Sequence, residues 1–386
     1  MRITKIGTVV VNARMRNWVF VKVETDEGIT GWGEASLEWK TRGVAGCVED
    51  LAPLIIGQDP RRIEYLYQIM YRQGFFRLGA VGMSALSGIE QALWDISGKA
   101  LGVPVYQLLG GAVRERIRMY DHLGGGEMTS LYLDDQPEQM AERARESIAA
   151  GYTAVKILAV PRSEPLEGTK PLRRAERVMQ AVREAVGPEV DIMVDFHGRT
   201  WPEVAIQFAK VLEPFNPFFI EEVCPPENVE GMAQVARATS IPLATGERLI
   251  GRAGFREVFE KRAVAVIQPD ICHTGGLWET RKIAAMAETY FMSVAPHNPL
   301  GPLATAAAIH FAAATPNWII QESFRADVPW RDDVLINPVR IEGGSVALPE
   351  GPGLGVAVNE AEAMKHPFQQ EDVLRYFHPD GAVADW

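Results

Sequence analysis

Seven ionisable side chains close seven short β-prone runs. They are Lys156 in TAVKIL (153–158), Asp195 in VDIMVD (190–195), Glu221 in FFIEE (218–222), Glu247 in IPLATGE (241–247), Asp270 in VAVIQPD (264–270), His297 in MSVAPH (292–297) and Glu322 in WIIQE (318–322). One acid at a strand end is ordinarily solvated or caps a helix. Seven such ends in succession, five of them acidic, point instead to one shared cavity. Carboxylates gathered there repel unless something positive sits among them. Asp195, Glu221 and Glu247 follow one another at intervals of 26 residues. Three oxygen donors suit a hard cation, Mg2+ above all, and no Cys/His grouping suggests zinc. Asp270 and His297 suggest a general base, since a carboxylate bonded to one ring nitrogen fixes the tautomer and raises the basicity of the other. His197 stands two residues after Asp195 in DFHGR. Burying an imidazole beside an acid is costly, so chemistry has to account for it.

The elements that would position these groups alternate strand and helix, with helical patterns such as 172–186 between the runs. With RMYDHL (118–123) the strands number eight. Regular alternation implies a parallel sheet, and eight strands fit a closed α/β barrel, (β/α)7β and TIM-like, whose strand C-termini share one face. The first 115 residues read differently. Runs at 18–25 and 29–33 flank a hairpin turn, and 83–102 carries apolar residues at helical spacing before Gly102. The expected domains are an α+β capping domain (1–115), the barrel (116–330) and a Gly/Pro-rich segment (331–386) that returns to the cap.

Composition narrows the function classes. Lys and Arg number 39 against 50 Asp and Glu, a net charge of -11 that disfavours nucleic acid and anionic membranes as partners. The start is too polar for a signal peptide, and no apolar run approaches the roughly 18 residues of a membrane span. Cys47, Cys224 and Cys272 lack CxxC spacing, which favours a reducing, cytoplasmic setting.

Several stretches together resemble the mandelate racemase branch of the enolase superfamily: SALSGIEQALWDISGKALGVPVYQLLGG (84–111), DFHGR (195–199), FIEE (219–222), GER (246–248), QPDICHTGG (268–276), APHNPLGP (295–302) and PGLG (352–355). Within that branch the chain is most similar to the D-galactonate dehydratases. The resemblance implies Asp195, Glu221 (rather than Glu222) and Glu247 as ligands of Mg2+. It makes His297, with Asp270, the base that removes the proton α to a substrate carboxylate. It gives Glu322 a hydrogen bond to the enediolate, Lys156 a contact with the carboxylate, and His197 the part of general acid toward the departing β-hydroxyl. A homo-oligomer acting on a small-molecule carboxylate is implied as well.

Racemases of the branch carry K-x-K at the second strand, where the second lysine is the other base. Here the run is Lys156-Ile157-Leu158, and Leu158 cannot take a proton. One-sided deprotonation suits β-elimination, with epimerisation or cycloisomerisation as the enzyme alternative and a metal-dependent sugar-acid binding protein as the non-enzyme one. The dehydratases carry a polar asparagine at the place of Leu158. His122 is expected either to touch a distal hydroxyl or to cap its strand. Trp18, Phe20 and Arg77 are expected to close over the cavity from the cap, with core packing an equal expectation for Trp18 and Phe20. His273 is expected behind the site residues or in a loop hydrogen bond, His310 in the core or on a helix surface, and His366 and His378 on the tail surface.

Overall fold

The computed structural model describes residues 1–124, 136–325, 327–378 and 380–385. Its N-terminal sheet is antiparallel: β1 (Ile3–Asn12), β2 (Asn17–Thr25) and β3 (Thr30–Glu34), in that order. The sequence reading has β2 and β3 but not β1, an edge strand only partly buried through its middle, so its side chains alternate weakly. Helices α1 (Thr41–Ile55), α2 (Ile63–Arg72) and α3 (Gly79–Leu101) follow. α3 begins four residues before the expected 83 and stops at Gly102, whose φ of 70° supplies the left-handed cap. Val19, Val21, Val23, Leu86, Ile89, Leu93 and Ile96 form the core between this sheet and helix.

All eight expected barrel strands are present. They are β4 (Arg116–His122), β5 (Ala154–Ile157), β6 (Asp191–Asp195), β7 (Phe219–Glu221), β8 (Leu243–Thr245), β9 (Val266–Ile267), β10 (Ser293–Val294) and β11 (Gln321–Ser323). From β4 to β10 each pairs in parallel with the next, and β11 pairs in parallel with β4. A bridge between Val294 and Trp318 joins the remaining edges and closes the ring. Tyr120, Met193, Phe219, Ala244, Val266 and Ile320 fill the interior beneath the strand ends. That filling leaves the C-terminal mouth as the place for a cavity.

The tail serves both domains rather than the cap alone. A strand at Ser345–Ala347 pairs antiparallel with β4, whereas Leu354 donates its N–H to Asp95 of α3 (2.8 Å) and Glu360 pairs with Lys22 of β2 (2.6 Å).

Candidate active site

The strand ends converge as the spacing predicts. A cavity of about 420 Å³ opens over the barrel mouth, with His122, Lys156, Asp195, His197, Glu247, His273, His297 and Glu322 in its wall. Lys156 is the buried cation at its floor. Its Nζ lies 2.7 Å from Glu322 Oε1, 2.8 Å from Glu221 Oε1 and 3.7 Å from Asp195 Oδ2. Burial would lower the ammonium, but Glu221 and Glu322 outweigh it and hold the lysine well above its ordinary range. One ammonium thus faces three carboxylates, Glu322, Glu221 and Asp195.

Asp195, Glu221 and Glu247 each offer an oxygen, and these atoms all lie within 4.8 Å of one another. They come from β6, β7 and the residue pair after β8, three neighbouring strands. Glu221 Oε2 is buried with no hydrogen-bond partner among the described residues. Burial and the nearby Asp195 push the Glu221 carboxyl up, while Asp195 falls below its usual range because His197 and Lys156 overcome burial. A buried all-oxygen set with an unused lone-pair site fits a divalent cation.

The pair predicted as a base is formed. His297 Nδ1 lies 2.7 Å from Asp270 Oδ2, and Cys272 N–H donates to the other oxygen of Asp270 (2.6 Å). His297 Nε2 stands 3.3 Å from Glu247 Oε2. Burial would lower the imidazole, but Glu247 and the Asp270 bond push it up to about 10. His273 lies in the wall beside the pair, its Nε2 3.5 Å from Asp270 Oδ2 and its Nδ1 3.1 Å from Ser84 Oγ. His197 Nε2 is 2.9 Å from Asp195 Oδ2. Its backbone is left-handed, φ 53°, a conformation that costs a residue with a side chain about 1–2 kcal/mol. β6 and β10 are four places apart in the ring of eight, so His197 and His297 enter from opposite sides.

Two cap assignments are corrected. Trp18 is fully buried and absent from the wall; it stacks on Phe20 (6.1 Å) with Arg331 over its ring (5.6 Å). Phe20 is equally buried. β2 is the middle strand, and these two side chains leave the face opposite Val19, Val21 and Val23, so they pack in the core shared with the barrel rather than in the cavity wall. Arg77 faces solvent, its guanidinium donating to the Tyr71 carbonyl (3.1 Å) and lying over the Tyr71 ring. The cap instead reaches the cavity through Met15 and Arg16, through Leu37 to Lys40, and through Ala80 and Val81. Arg16 is buried, pairs with Glu38 (2.9 Å) and donates to the Pro299 carbonyl. His122 is in the wall, its Nδ1 accepting from Gly124 N–H (3.2 Å); burial holds it neutral, down to about 3. His310 is core, while His378 pairs with Glu164 (2.5 Å) and His366 stacks on Trp330 (4.2 Å).

Two positioning groups escape the sequence reading. Glu222 turns away from Glu221 and takes Arg248 through both oxygen-facing nitrogens (2.7 and 3.0 Å) and Gly246 N–H (3.2 Å), fixing the chain on both sides of Glu247. The signal was present, because Glu222 and Arg248 share the 26-residue interval of the acids. Asn298 donates its N–H to Glu322 Oε2 (2.7 Å) and its amide to the Glu322 carbonyl (3.2 Å). Only the tertiary fold brings those two together.

Known proteins match this architecture end to end. Residues 4–110 match the mandelate racemase / muconate lactonizing enzyme N-terminal domain, and residues 139–362 the enolase C-terminal domain-like family. D-galactonate dehydratase of Verminephrobacter eiseniae is 41% identical over 396 residues, with 100% of both chains covered. That of Ralstonia pickettii is 40% identical over 394 residues at the same coverage. Among solved structures, a mandelate racemase/muconate lactonizing enzyme-like protein from Roseovarius sp. TM1035 superposes with a TM-score of 0.89 at 37% identity, covering 96% of each chain. A member of the enolase superfamily from Salmonella Typhimurium gives 0.88 at 37% identity, covering 95% of this chain and 98% of that one. A capped barrel with this mouth is an enzyme fold of the enolase superfamily, and the chain belongs to that superfamily. Its two domain matches place it with the mandelate racemases and muconate lactonizing enzymes.

Proposed function

We propose that the enzyme is a Mg2+-dependent acid-sugar dehydratase, taking an aldonate, D-galactonate first, to a 2-keto-3-deoxy acid through an enediolate. The observation that carries this reading is the pair of histidines entering one cavity from opposite sides, with the bonded base pair at His297 and no second base at Leu158. Leu158 is buried in an apolar group with Met15 and Phe324. The relatives named D-galactonate dehydratase support the same substrate class.

In its neutral form His297 removes the α-proton at Nε2, with Asp270 holding the proton on Nδ1; Mg2+ at Glu247 would offset the anion that raises the imidazole in the free protein. His197 gives a proton to the β-hydroxyl as it leaves. Each such group contributes roughly 10²–10⁴-fold. Mg2+ held by Asp195, Glu221 and Glu247 would stabilise the charge that develops on the carboxylate. Lys156 pairs with a carboxylate oxygen. Glu322 is ionised in the free protein, drawn down to about 2 by Lys156 and His297 against the opposite push of burial. To donate a hydrogen bond to the enediolate it must gain a proton, and an incoming anionic substrate favours that by adding like charge. His122 and Arg16 face the rest of the sugar chain. A homo-oligomer in a reducing, cytoplasmic setting completes the reading; the three cysteines are free and, among the described residues, no helix is long and apolar enough to cross a membrane.

Proton NMR of the enzyme with Mg2+ in heavy water, against a panel of aldonic and aldaric acids, tests this. A 2-keto-3-deoxy product is expected. Loss of an α-proton signal without dehydration would replace the reading by epimerisation. His197→Asn is expected to slow elimination while sparing α-proton exchange; equal loss of both would remove His197 from the role of leaving-group acid.

A further inference from the structure

The base pair lies in the loops three residues beyond β9 and β10, and the helix after each of these strands is gripped by the capping domain. Helix Gly276–Thr289 follows the Asp270 loop, and helix Pro302–Ala314 follows the His297 loop. Glu90 of α3, fully buried, accepts from Leu277 N–H (2.8 Å) and Trp278 N–H (2.9 Å) at the start of the first helix. Glu34 at the end of β3, also fully buried, accepts from Gly301 N–H (2.7 Å) and Ala304 N–H (2.8 Å) at the start of the second. Both approaches are tight enough to require glycine: a Cβ on Gly276 would lie 2.0 Å from Glu90 Oε2, and one on Gly301 2.5 Å from Glu34 Oε1.

Neighbouring bonds extend the grip to the chemistry. Ser87 Oγ of α3 accepts from Gly275 N–H (2.9 Å), and Gln91 reaches the sulfur of Cys272, whose own N–H holds Asp270. On the other side Arg16 holds the carbonyl of Pro299, two residues beyond His297. The helices after β6, β7 and β8, the strands that carry the three acids of the metal group, receive no cap carboxylate at their N-termini among the described residues; Arg252 N–H, for one, goes to Glu279 of the barrel (3.0 Å). Among the described residues, cap carboxylates at helix N-termini are found after β9 and β10 and not after β6, β7 or β8.

We propose that Glu34 and Glu90 are positioning residues: by anchoring the N-termini of these two helices, the cap sets the separation and orientation of Asp270 and His297. This rests on the reading of His297 as the base. Carboxylates at helix N-termini are favourable placements, and an ångström of misplacement in a reacting group costs up to about 10²-fold in rate.

The test uses Glu34→Gln and Glu90→Gln, which keep size but turn an amide against the backbone donors, with D-galactonate and Mg2+. The matched control is Asp95→Asn, a buried carboxylate of α3 that holds Trp32 N–H (2.9 Å) and Leu354 N–H (2.8 Å) and touches no part of the barrel mouth. Each glutamate variant is expected to lose about 10- to 100-fold in kcat. KM and the Mn2+ Kd measured by calorimetry stay within about threefold, and amide exchange speeds up in 270–280 and 297–306. Asp95→Asn, at a similar loss of Tm, keeps kcat within about threefold. Unchanged kcat in both glutamate variants, an equal fall in Asp95→Asn, or metal affinity lost in step with kcat each overturns the proposal. If the glutamine variants do not fold, Glu34→Asp and Glu90→Asp, which retract the acceptor by one methylene, are read by the same outcomes. His297→Asn separates the two readings: normal turnover there removes the base assignment itself, whatever the glutamates do.

Discussion

Asp270→Asn should invert the tautomer of His297. One oxygen of Asp270 is committed to Cys272 N–H at 2.6 Å, a bond that only an oxygen can accept. The new amide nitrogen must therefore take the other place, 2.7 Å from His297 Nδ1. An amide N–H there donates to Nδ1 and drives the ring proton onto Nε2, the atom that has to receive the substrate proton. The variant keeps shape and packing but presents the wrong nitrogen. A placed general base is worth roughly 10²–10⁴-fold, so kcat should fall about 10³-fold, or about 4 kcal/mol in the barrier. The assay is loss of the α-proton signal of D-galactonate in heavy water, followed beside keto-acid formation. Both should fall together, because exchange and elimination share the first proton transfer. Mn2+ affinity should stay within about threefold, since Asp270 is not among the three acids that offer oxygens to one point. A kcat within fivefold of the unchanged enzyme would refute the argument, and so would exchange that survives while elimination is lost.

Two further outcomes follow from buried charge. Lys156→Met leaves Glu221 and Glu322 without the ammonium that sits 2.8 and 2.7 Å away, and removing one partner of a buried pair costs about 3–5 kcal/mol; the urea midpoint in chelator-containing buffer should drop accordingly, and an unchanged midpoint would show the acids protonated instead. His310 is held neutral by burial, down to about 4 from 6.5, while its Nδ1 accepts from Tyr106 N–H (3.2 Å). Because the folded value is the depressed one, the contribution is whole above pH 6.5 and is lost as pH falls through about 4, about 3 kcal/mol in all. His310→Gln keeps an acceptor and does not titrate, so its unfolding midpoint should vary less between pH 6.5 and 4 than that of the parent chain.

Some of this was legible in the sequence because it is written in local periodicity. A strand run of five to seven residues with a polar side chain at or near its end, repeated at the interval of a strand plus a helix, needs no knowledge of tertiary contacts. The eight strands and the set Asp195, Glu221, Glu247, Asp270, His297 and Glu322 came from that rhythm. Other features left no such trace. Trp18 reads equally well as a core or a cavity residue, since an indole serves both, and its place was decided by the face of β2 that packs against the barrel core. Arg77 reads as a ligand until the loop before α3 turns it outward over Tyr71.

The sequence by itself determined which strand ends carry oxygen and imidazole groups, because side-chain identity and the βα interval are properties of the chain. The order of the ring placed His197 opposite His297 as soon as eight strands closed. Only the tertiary structure decided what covers the cavity and what holds the base in place. Arg16, Glu34 and Glu90 reach their barrel partners across 283, 267 and 187 residues of chain. Contacts at such separations leave no periodic signature; they exist because burial forces each carboxylate and guanidinium to find a partner, and the closed fold supplies it.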